Sequence, residues 1–318
     1  MGDRWLDRRD STDTLCTVTE AMTCSTLSAV DEPLAGTAAT IRRWVCLEFD
    51  GGWGRDVLDG TALEADLAAE LRRRAEQADV RIMFIRRPGR SMNRVPGHTV
   101  LLARSEPGET WCEQLHLDAP QGLLDLDFTV LAGPAPGLGV RVEDSVVLVC
   151  AHGKRDRCCA VLGRPVAAEL ATAFGDRVWE CSHTGGHRFA PSIIVLPTGH
   201  TYGRLDSVQS IEAVRSLDSG EVYRTGLRGR SCWSSSAQVS DIAVRELISA
   251  RVEDLSVVDH ADGQCTVEHL DGRNWTVETA VAELESRPPS CGAAIKPVRP
   301  VVATSVRENP PRRSGVAQ

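Results

Sequence analysis

Residues Val146 to Ser182 read VVLVCAHGKRDRCCAVLGRPVAAELATAFGDRVWECS, and one unit of fold can be read from them in a single pass. The apolar run from Val146 ends in Cys150, as a short buried strand would. A charged loop follows and reaches two adjacent cysteines, Cys158 and Cys159. RPVAAELATAFG then predicts a helix, with Pro165 near its first turn and Gly175 as its stop. RVWECS predicts a second strand, HTGGHRFAP a loop, and SIIVLP a third strand. Strand, helix and strand in alternation, with short apolar strands, belong to an α/β layer architecture.

Upstream, TALEADLAAELRRRAEQADV carries Leu63, Leu67 and Leu71 at four-residue spacing with charges between them, which predicts an amphipathic helix. VRIMFIRRPG reads as a buried strand stopped by Pro88-Gly89, and HTVLLAR and TWCEQLHL as further strands. The Pro- and Gly-rich stretch Ala132 to Gly139 marks a boundary, so residues 21–135 are expected to form an N-terminal α/β domain. Residues 140–285 are expected to form a second α/β domain. It contains the helices DSVQSIEAVRSLDSG and SSAQVSDIAVRELISARV, a loop with RGRSC between them, and a short β-rich extension at 255–278 whose strands turn at Asp-Gly pairs. Residues 1–20 are polar and expected to be disordered, and 286–318 to be an extended or disordered tail. No repeat with a period of 20 to 50 residues is visible.

The bulk numbers narrow the function classes. The 318 residues are 42% hydrophobic and 25% charged with a net charge of −8, an ordinary globular balance with no basic footprint for nucleic acid. No apolar run approaches the roughly 20 residues of a membrane helix. The opening MGDRWLDRRDSTDT has no apolar h-region, so a cytoplasmic location is expected. In a reducing compartment eleven cysteines, an odd number, do not make a disulfide framework.

Four residues stand out as one candidate site: Cys150 and Cys159 around the loop AHGKRDRC, and His183 and His187 around TGG. A cysteine at the carboxyl end of a strand sits where α/β sheets place functional groups. The cationic loop lowers thiol pKa and favours the thiolate. Two glycines let the backbone fold so that both imidazoles converge. Two thiolates and two imidazoles suit zinc, or iron in an iron–sulfur cluster. Taken singly, a buried cysteine is more often packing and a histidine more often a surface group; two loops, each after a strand, are what favour a site. Cys158 and Cys181 are substitutes or packed thiols. Asp156 at the arginine position would repel phosphate and argues against a Cys-x5-Arg phosphate loop, and no Cys-x-x-Cys pair is present for a dithiol oxidoreductase. The Rieske pattern begins with Cys150-Ala-His152, but its following Cys-x-x-His box is missing.

CAHGKRDRCCAVLGRP and VWECSHTGGHRFAPSIIVLPTGHTYGRL closely resemble the sucrase/ferredoxin-like family. Weaker similarities lie in CSTLSAVDEPLAGTA at Cys24 to Ala38, in EFDGGWG, in RGRSC, and in SCG at Ser290 to Gly292. The resemblance implies a thioredoxin-like ferredoxin domain in the second half and a [2Fe-2S] cluster outside the Rieske fold. It assigns Cys150 and Cys159 as the cysteine ligands and His183 and His187 as the histidine ligands. It further implies electron transfer, possible coupling to protons at the imidazoles, and a redox partner protein. An electron carrier is expected rather than a stand-alone enzyme; no carboxylate pair supports sugar hydrolysis. Lys154, Arg155, Arg157 and Arg188 are candidates for docking an acidic partner. A zinc-binding structural or regulatory module and a thiol-dependent reductase are the alternatives.

Overall fold

The computed structural model describes residues 23–89, 96–260 and 262–310. The expectation for residues 1–20 therefore falls outside the described residues. In chain order the first elements are α1 (Cys24–Ser28), β1 (Arg43–Glu48), α2 (Ala65–Ala78), β2 (Val80–Arg86), β3 (His98–Arg104), β4 (Trp111–Leu117) and β5 (Val140–Arg141). There follow β6 (Val146–Cys150), α3 (Arg157–Phe174), β7 (Val178–Cys181), β8 (Ser192–Leu196), β9 (His200–Gly203), α4 (Ser207–Asp218), β10 (Leu227–Arg230) and α5 (Ser235–Leu247). The chain ends in β11 (Leu255–Asp259), β12 (Gln264–His269), β13 (Asn274–Val281), β14 (Leu284–Arg287), β15 (Lys296–Val298) and β16 (Val301–Glu308).

The fold is a mixed α/β arrangement around one large sheet of ten strands, ordered β10-β9-β8-β6-β7-β2-β1-β3-β4-β5. That order is symmetric about its middle. In each half the first strand pairs in parallel with the strand after its helix, and antiparallel with the next one (β1 with β2 and β3, β6 with β7 and β8). Two more antiparallel strands extend each half outward. The chain thus repeats one β-α-β-β-β plan with a period of about a hundred residues, too long to appear among repeats of 20 to 50 residues. The halves meet where β2 and β7 pair antiparallel, Ile85 with Cys181 and Arg86 with Glu180. The sheet therefore runs unbroken across the boundary expected near residues 132–139.

Strand alternation assigns the two faces. Val45, Leu47, Phe84, Val100 and Leu102 pack under α2 with Leu67 and Leu71, while Val147, Val149, Ile193 and Val195 pack with Val166 and Leu170 of α3. On the opposite face both halves share one core: Trp44, Cys46, Met83 and Ile85 from the first, Leu148, Cys150, Trp179 and Ile194 from the second. By length and composition α3 with its following turn is apolar enough to cross a membrane, but Val166, Ala167 and Leu170 are core residues of the sheet layer.

Several expectations change. The helix expected around residues 164–175 starts earlier, at Arg157, because the Asp156 carboxylate caps it by accepting from the Cys158 N–H at 2.8 Å. Pro165 therefore lies inside α3 rather than near its first turn; the carbonyl it leaves unpaired is that of Val161, an exposed residue. The RGRSC loop is in part a strand, β10, because Gly229 allows the backbone to pass Gln238 closely at φ 139°. β1 is a further strand beyond those the sequence predicts, with Trp44 to Leu47 all buried. Through its described part the tail is extended and not disordered: β14 pairs with β15, and β16 pairs with β13 along an antiparallel ladder that completes a four-stranded sheet, β11-β12-β13-β16. Asp262-Gly263 and Asp271-Gly272 do lie at the turns of that sheet, with both glycines at positive φ.

In β9, His200 is fully buried and neither of its ring nitrogens has a hydrogen-bond partner. Burial, reinforced by Arg230 and Arg245, holds its pKa well below the ordinary value. The folded state keeps the ring neutral, whereas the unfolded chain takes up a proton below about pH 6.5. This contribution to stability is complete above that pH and is lost as pH falls, with a slope of at most about 1.4 kcal/mol per pH unit. Urea unfolding between pH 7.5 and 5.5 should show a shallower slope for His200→Asn than for the wild type; equal slopes would count against a neutral buried His200.

Candidate metal centre

Cys150 ends β6 and points into the shared core, 1% exposed. Its carbonyl lies against α3, where Gly163 permits the contact: a Cβ at Gly163 would stand 2.1 Å from the Cys150 oxygen. That close approach brings the first turn of α3, and with it Cys159, over the strand end. Cys159 is also 1% exposed. The third group arrives on the loop after β7, where Ser182 is tied to β2 by its N–H to the Phe84 carbonyl at 2.8 Å and by accepting from the Phe84 N–H at 3.0 Å. Gly185 and Gly186 then take φ of 85° and 72°, which turns the chain back.

The ligand atoms of Cys150, Cys159 and His183 all lie within 4.8 Å of one another. The His187 ring lies beside that of His183, centroids 5.1 Å apart, but His187 stands outside the close trio. The Nδ1 atoms of both histidines are buried without a partner. The His187 Nε2–H donates to the Pro289 carbonyl at 2.7 Å, which leaves Nδ1 as the free lone pair. Such an outer hydrogen bond is what fixes the tautomer of a metal-binding histidine.

The two thiols share a proton unequally. A hydrogen bond from Cys159, opposed by burial and assisted by His183, holds the Cys150 pKa well below the ordinary thiol value. Cys159, donating that bond and itself buried, is raised. Positive charge comes from Arg228, the first residue of RGRSC. Arg228 is fully buried; it donates to Ser192 Oγ at 2.8 Å, to the Gly185 carbonyl at 3.2 Å and to both the hydroxyl and the carbonyl of Thr37. Among the described residues it forms no ion pair with a carboxylate. Burial pushes its pKa down to about 9, while the nearby Cys150 and Cys159 favour its charged form.

His152 is not a free ligand. Its Nε2–H donates to the Gly54 carbonyl at 2.7 Å and its Nδ1 accepts from the His183 N–H at 3.2 Å. It links the first half of the chain to the ligand loop and is a positioning residue. Cys181 is a packed thiol of the shared core, its pKa raised well above the ordinary value by burial. Cys158 faces away from the trio, towards Cys24 and Cys291.

Of the docking candidates, Lys154 and Arg157 are exposed and Arg155 is half-buried. Arg188 is engaged within the chain, its Nε 2.7 Å from Glu32 and its guanidinium over the Phe189 ring. A cavity of about 610 Å³ opens beside His183, with His152, Arg55, Arg72, Arg81 and Arg155 on its wall.

Gly163→Ala tests the close approach. Alanine in a helix gains up to about 1 kcal/mol over glycine, but here the methyl group meets a backbone oxygen that cannot swing aside, and overpacking costs about 1–3 kcal/mol. Net destabilisation in urea is expected, together with a weaker coupling of the two thiols. Gly52→Ala, at an exposed position with open space, should stay within about 0.5 kcal/mol.

Two relatives, each named altered inheritance of mitochondria protein 32, are similar over short regions. The one from Meyerozyma guilliermondii is 29% identical over 100 residues, covering 28% of this chain and 35% of that protein. The one from Candida glabrata is 29% identical over 102 residues, covering 27% and 33%. The match takes in only about a third of each relative's length. No solved structure matches the chain. The sucrase/ferredoxin-like family matches residues 34–229, a span that holds both halves of the large sheet and both ligand loops, and the chain belongs to that family.

Proposed function

We propose that this protein is a one-electron carrier whose second half is a thioredoxin-like ferredoxin domain holding a [2Fe-2S] cluster through Cys150, Cys159, His183 and His187. One observation carries the reading: two buried thiols and the ligand atom of His183 lie within 4.8 Å of one another, with His187 alongside and both Nδ1 atoms buried without a partner. Buried polar atoms without partners are costly, and a metal centre satisfies these. The donor set, two thiolates and two imidazoles, fits such a cluster. The plan of a parallel β-α-β unit followed by two antiparallel strands is consistent with the thioredoxin-like part of the proposal.

When bound, the cluster would supply reversible one-electron chemistry at a potential above that of an all-cysteine ferredoxin, since two neutral ligands replace two anionic ones. The chain's own groups do the rest. Cys150 is held as the readier thiolate and Arg228 offsets its charge from within the core. His152 fixes the backbone of the His183 loop, and the Pro289 carbonyl fixes the His187 ring. The cavity beside His183 gives water a path to that imidazole, so proton exchange can accompany electron uptake. Lys154 and Arg157, both exposed, and Arg155, half-buried, are the cations that would dock an acidic redox partner; Arg188, paired with Glu32, serves the fold. A cytoplasmic location goes with this proposal. Burial of both thiols disfavours the thiol-dependent reductase, which needs a thiol open to its substrate.

Anaerobically purified protein should contain iron and acid-labile sulfide in equal amounts and give a [2Fe-2S] paramagnetic signal after dithionite reduction. Cys150→Ser, or His183→Ala with His187→Ala, should bleach or retune it, and Cys46→Ser or Cys232→Ser should not. The midpoint potential should fall as pH rises through the alkaline range. Zinc in place of iron, or a potential independent of alkaline pH, would overturn the cluster or its histidine ligation respectively.

A further inference from the structure

We propose that Cys24, Cys158, Cys291 and Asp156 form a second metal site, which takes a single zinc-class divalent cation and is separate from the Cys150 site. The three thiols come from distant places: the start of α1, the first turn of α3, and the turn that follows β14. Their sulfurs nevertheless form a nearly equilateral triangle, with Cys24 to Cys158 at 3.6 Å, Cys158 to Cys291 at 3.4 Å and Cys291 to Cys24 at 3.7 Å. An ion bonded tetrahedrally to sulfur at about 2.3 Å sets its thiolates about 3.8 Å apart. The triangle is close to that spacing. It is too wide for any disulfide, whose sulfurs lie about 2.05 Å apart. It is also too tight for a cluster in which each thiolate binds its own iron, because the irons and their bridging sulfides would have to stand between the sulfurs.

Asp156 supplies the fourth corner. Its carboxylate oxygens lie 3.6 and 3.8 Å from the Cys24 sulfur, and one oxygen of Asp156 joins the three sulfurs in a group whose members are all within 4.8 Å of one another. The same carboxylate accepts the N–H of Cys158 at 2.8 Å and of Cys291 at 2.9 Å, so it sets the backbone of two of its fellow ligands. Cys24 and Cys158 are 2% exposed and Asp156 4%. Among the described residues no lysine or arginine pairs with Asp156; its one ion-pair contact is His187 Nε2 at 3.7 Å. A buried carboxylate among three thiols lacks a strong countercharge, and a divalent cation provides it while drawing the thiols into their thiolate form. The Ser25 hydroxyl, 3.3 Å from the Cys158 sulfur, supplies an outer hydrogen bond to that ligand.

The site would act as a clamp. It joins α1, α3 and the C-terminal extension, and it does so one residue from Cys159 and two from Pro289, whose carbonyl orients His187. Its existence does not depend on what the Cys150 site holds.

The test uses the reduced full-length chain. Metal analysis should find one zinc per chain that survives Cys150→Ser/Cys159→Ser and is lost in Cys24→Ser/Cys291→Ser. Cobalt(II) added to the chelator-treated Cys150→Ser/Cys159→Ser protein should develop the visible bands of a tetrahedral thiolate site. Because Cys291 is the exposed member, its alkylation in the wild type should be at least tenfold slower with zinc than after chelation. That readout needs no variant to fold. Equal alkylation rates with and without zinc, a disulfide between any two of the three cysteines, or zinc lost with Cys150/Cys159 and retained without Cys24/Cys291 would each overturn the proposal. Iron at the Cys150 site is measured separately, so failure of either site leaves the other standing.

Discussion

Two half-sheets meet edge to edge along β2 and β7, and that seam is short: two residue pairs, Ile85 with Cys181 and Arg86 with Glu180. Backbone hydrogen bonds contribute about 1 kcal/mol each in net terms, so the seam alone holds little. Behind it lies the shared core, where Trp44, Met83 and Ile85 of one half face Leu148, Trp179 and Ile194 of the other. Each such side chain contributes about 1.5–3 kcal/mol when buried. Burial outweighs the ladder, and it ties the halves together in a way that a flexible two-domain chain would not be.

The candidate metal centre is a consequence of that junction. Cys150 is paired in register with Cys181, which is itself at the seam, so the strand end that carries the first thiol abuts the other half. The N-terminal half repeats the β-α-β plan without the thiols: β1 ends in Glu48, a residue hydrogen-bonded to the Thr99 N–H. What it supplies instead is wall and anchor. Gly54 holds His152, Phe84 holds Ser182, and Thr37 holds Arg228. A plan used twice thus gives one half with ligands and one half that braces them.

The parts of this site that were legible in the sequence are those whose partners are local. Cys150 and Cys159 are close in sequence, a strand-end thiol and the next thiol across one short charged loop, and the second loop announces itself through its glycines. The start of α3 was hidden because Gly163 and Pro165 look like breakers. Gly163 is there for the close approach to Cys150, and Pro165 is tolerated because the carbonyl it deprives belongs to an exposed residue. Arg228 was hidden because an arginine in RGRSC reads as a solvated charge until the strand that buries it is in place. Cys24 and Cys291 lie more than 130 residues from Cys158, and no local pattern links three such positions. The duplicated plan was invisible for a related reason: topology repeats here while the residues do not.

The vicinal pair Cys158-Cys159 divides between two pockets of different charge. Helical geometry sends neighbouring side chains to different faces, so Cys159 turns to Cys150 and Cys158 to Cys24 and Cys291. Each thiol then meets a different electrostatic neighbour. Cys159 shares the field of the buried Arg228 cation, which faces Cys150 and favours thiolate there. Cys158 lies beside the buried Asp156 carboxylate, which offers no such relief. One helix start therefore sits between a pocket already supplied with a buried arginine and a pocket whose carboxylate, among the described residues, pairs with no lysine or arginine. The first suits a centre of low net charge; the second gains most from a bound cation. Asp156 lies between the two, capping α3 and standing 3.7 Å from His187, so a change of charge in either pocket acts on the residues that shape the other.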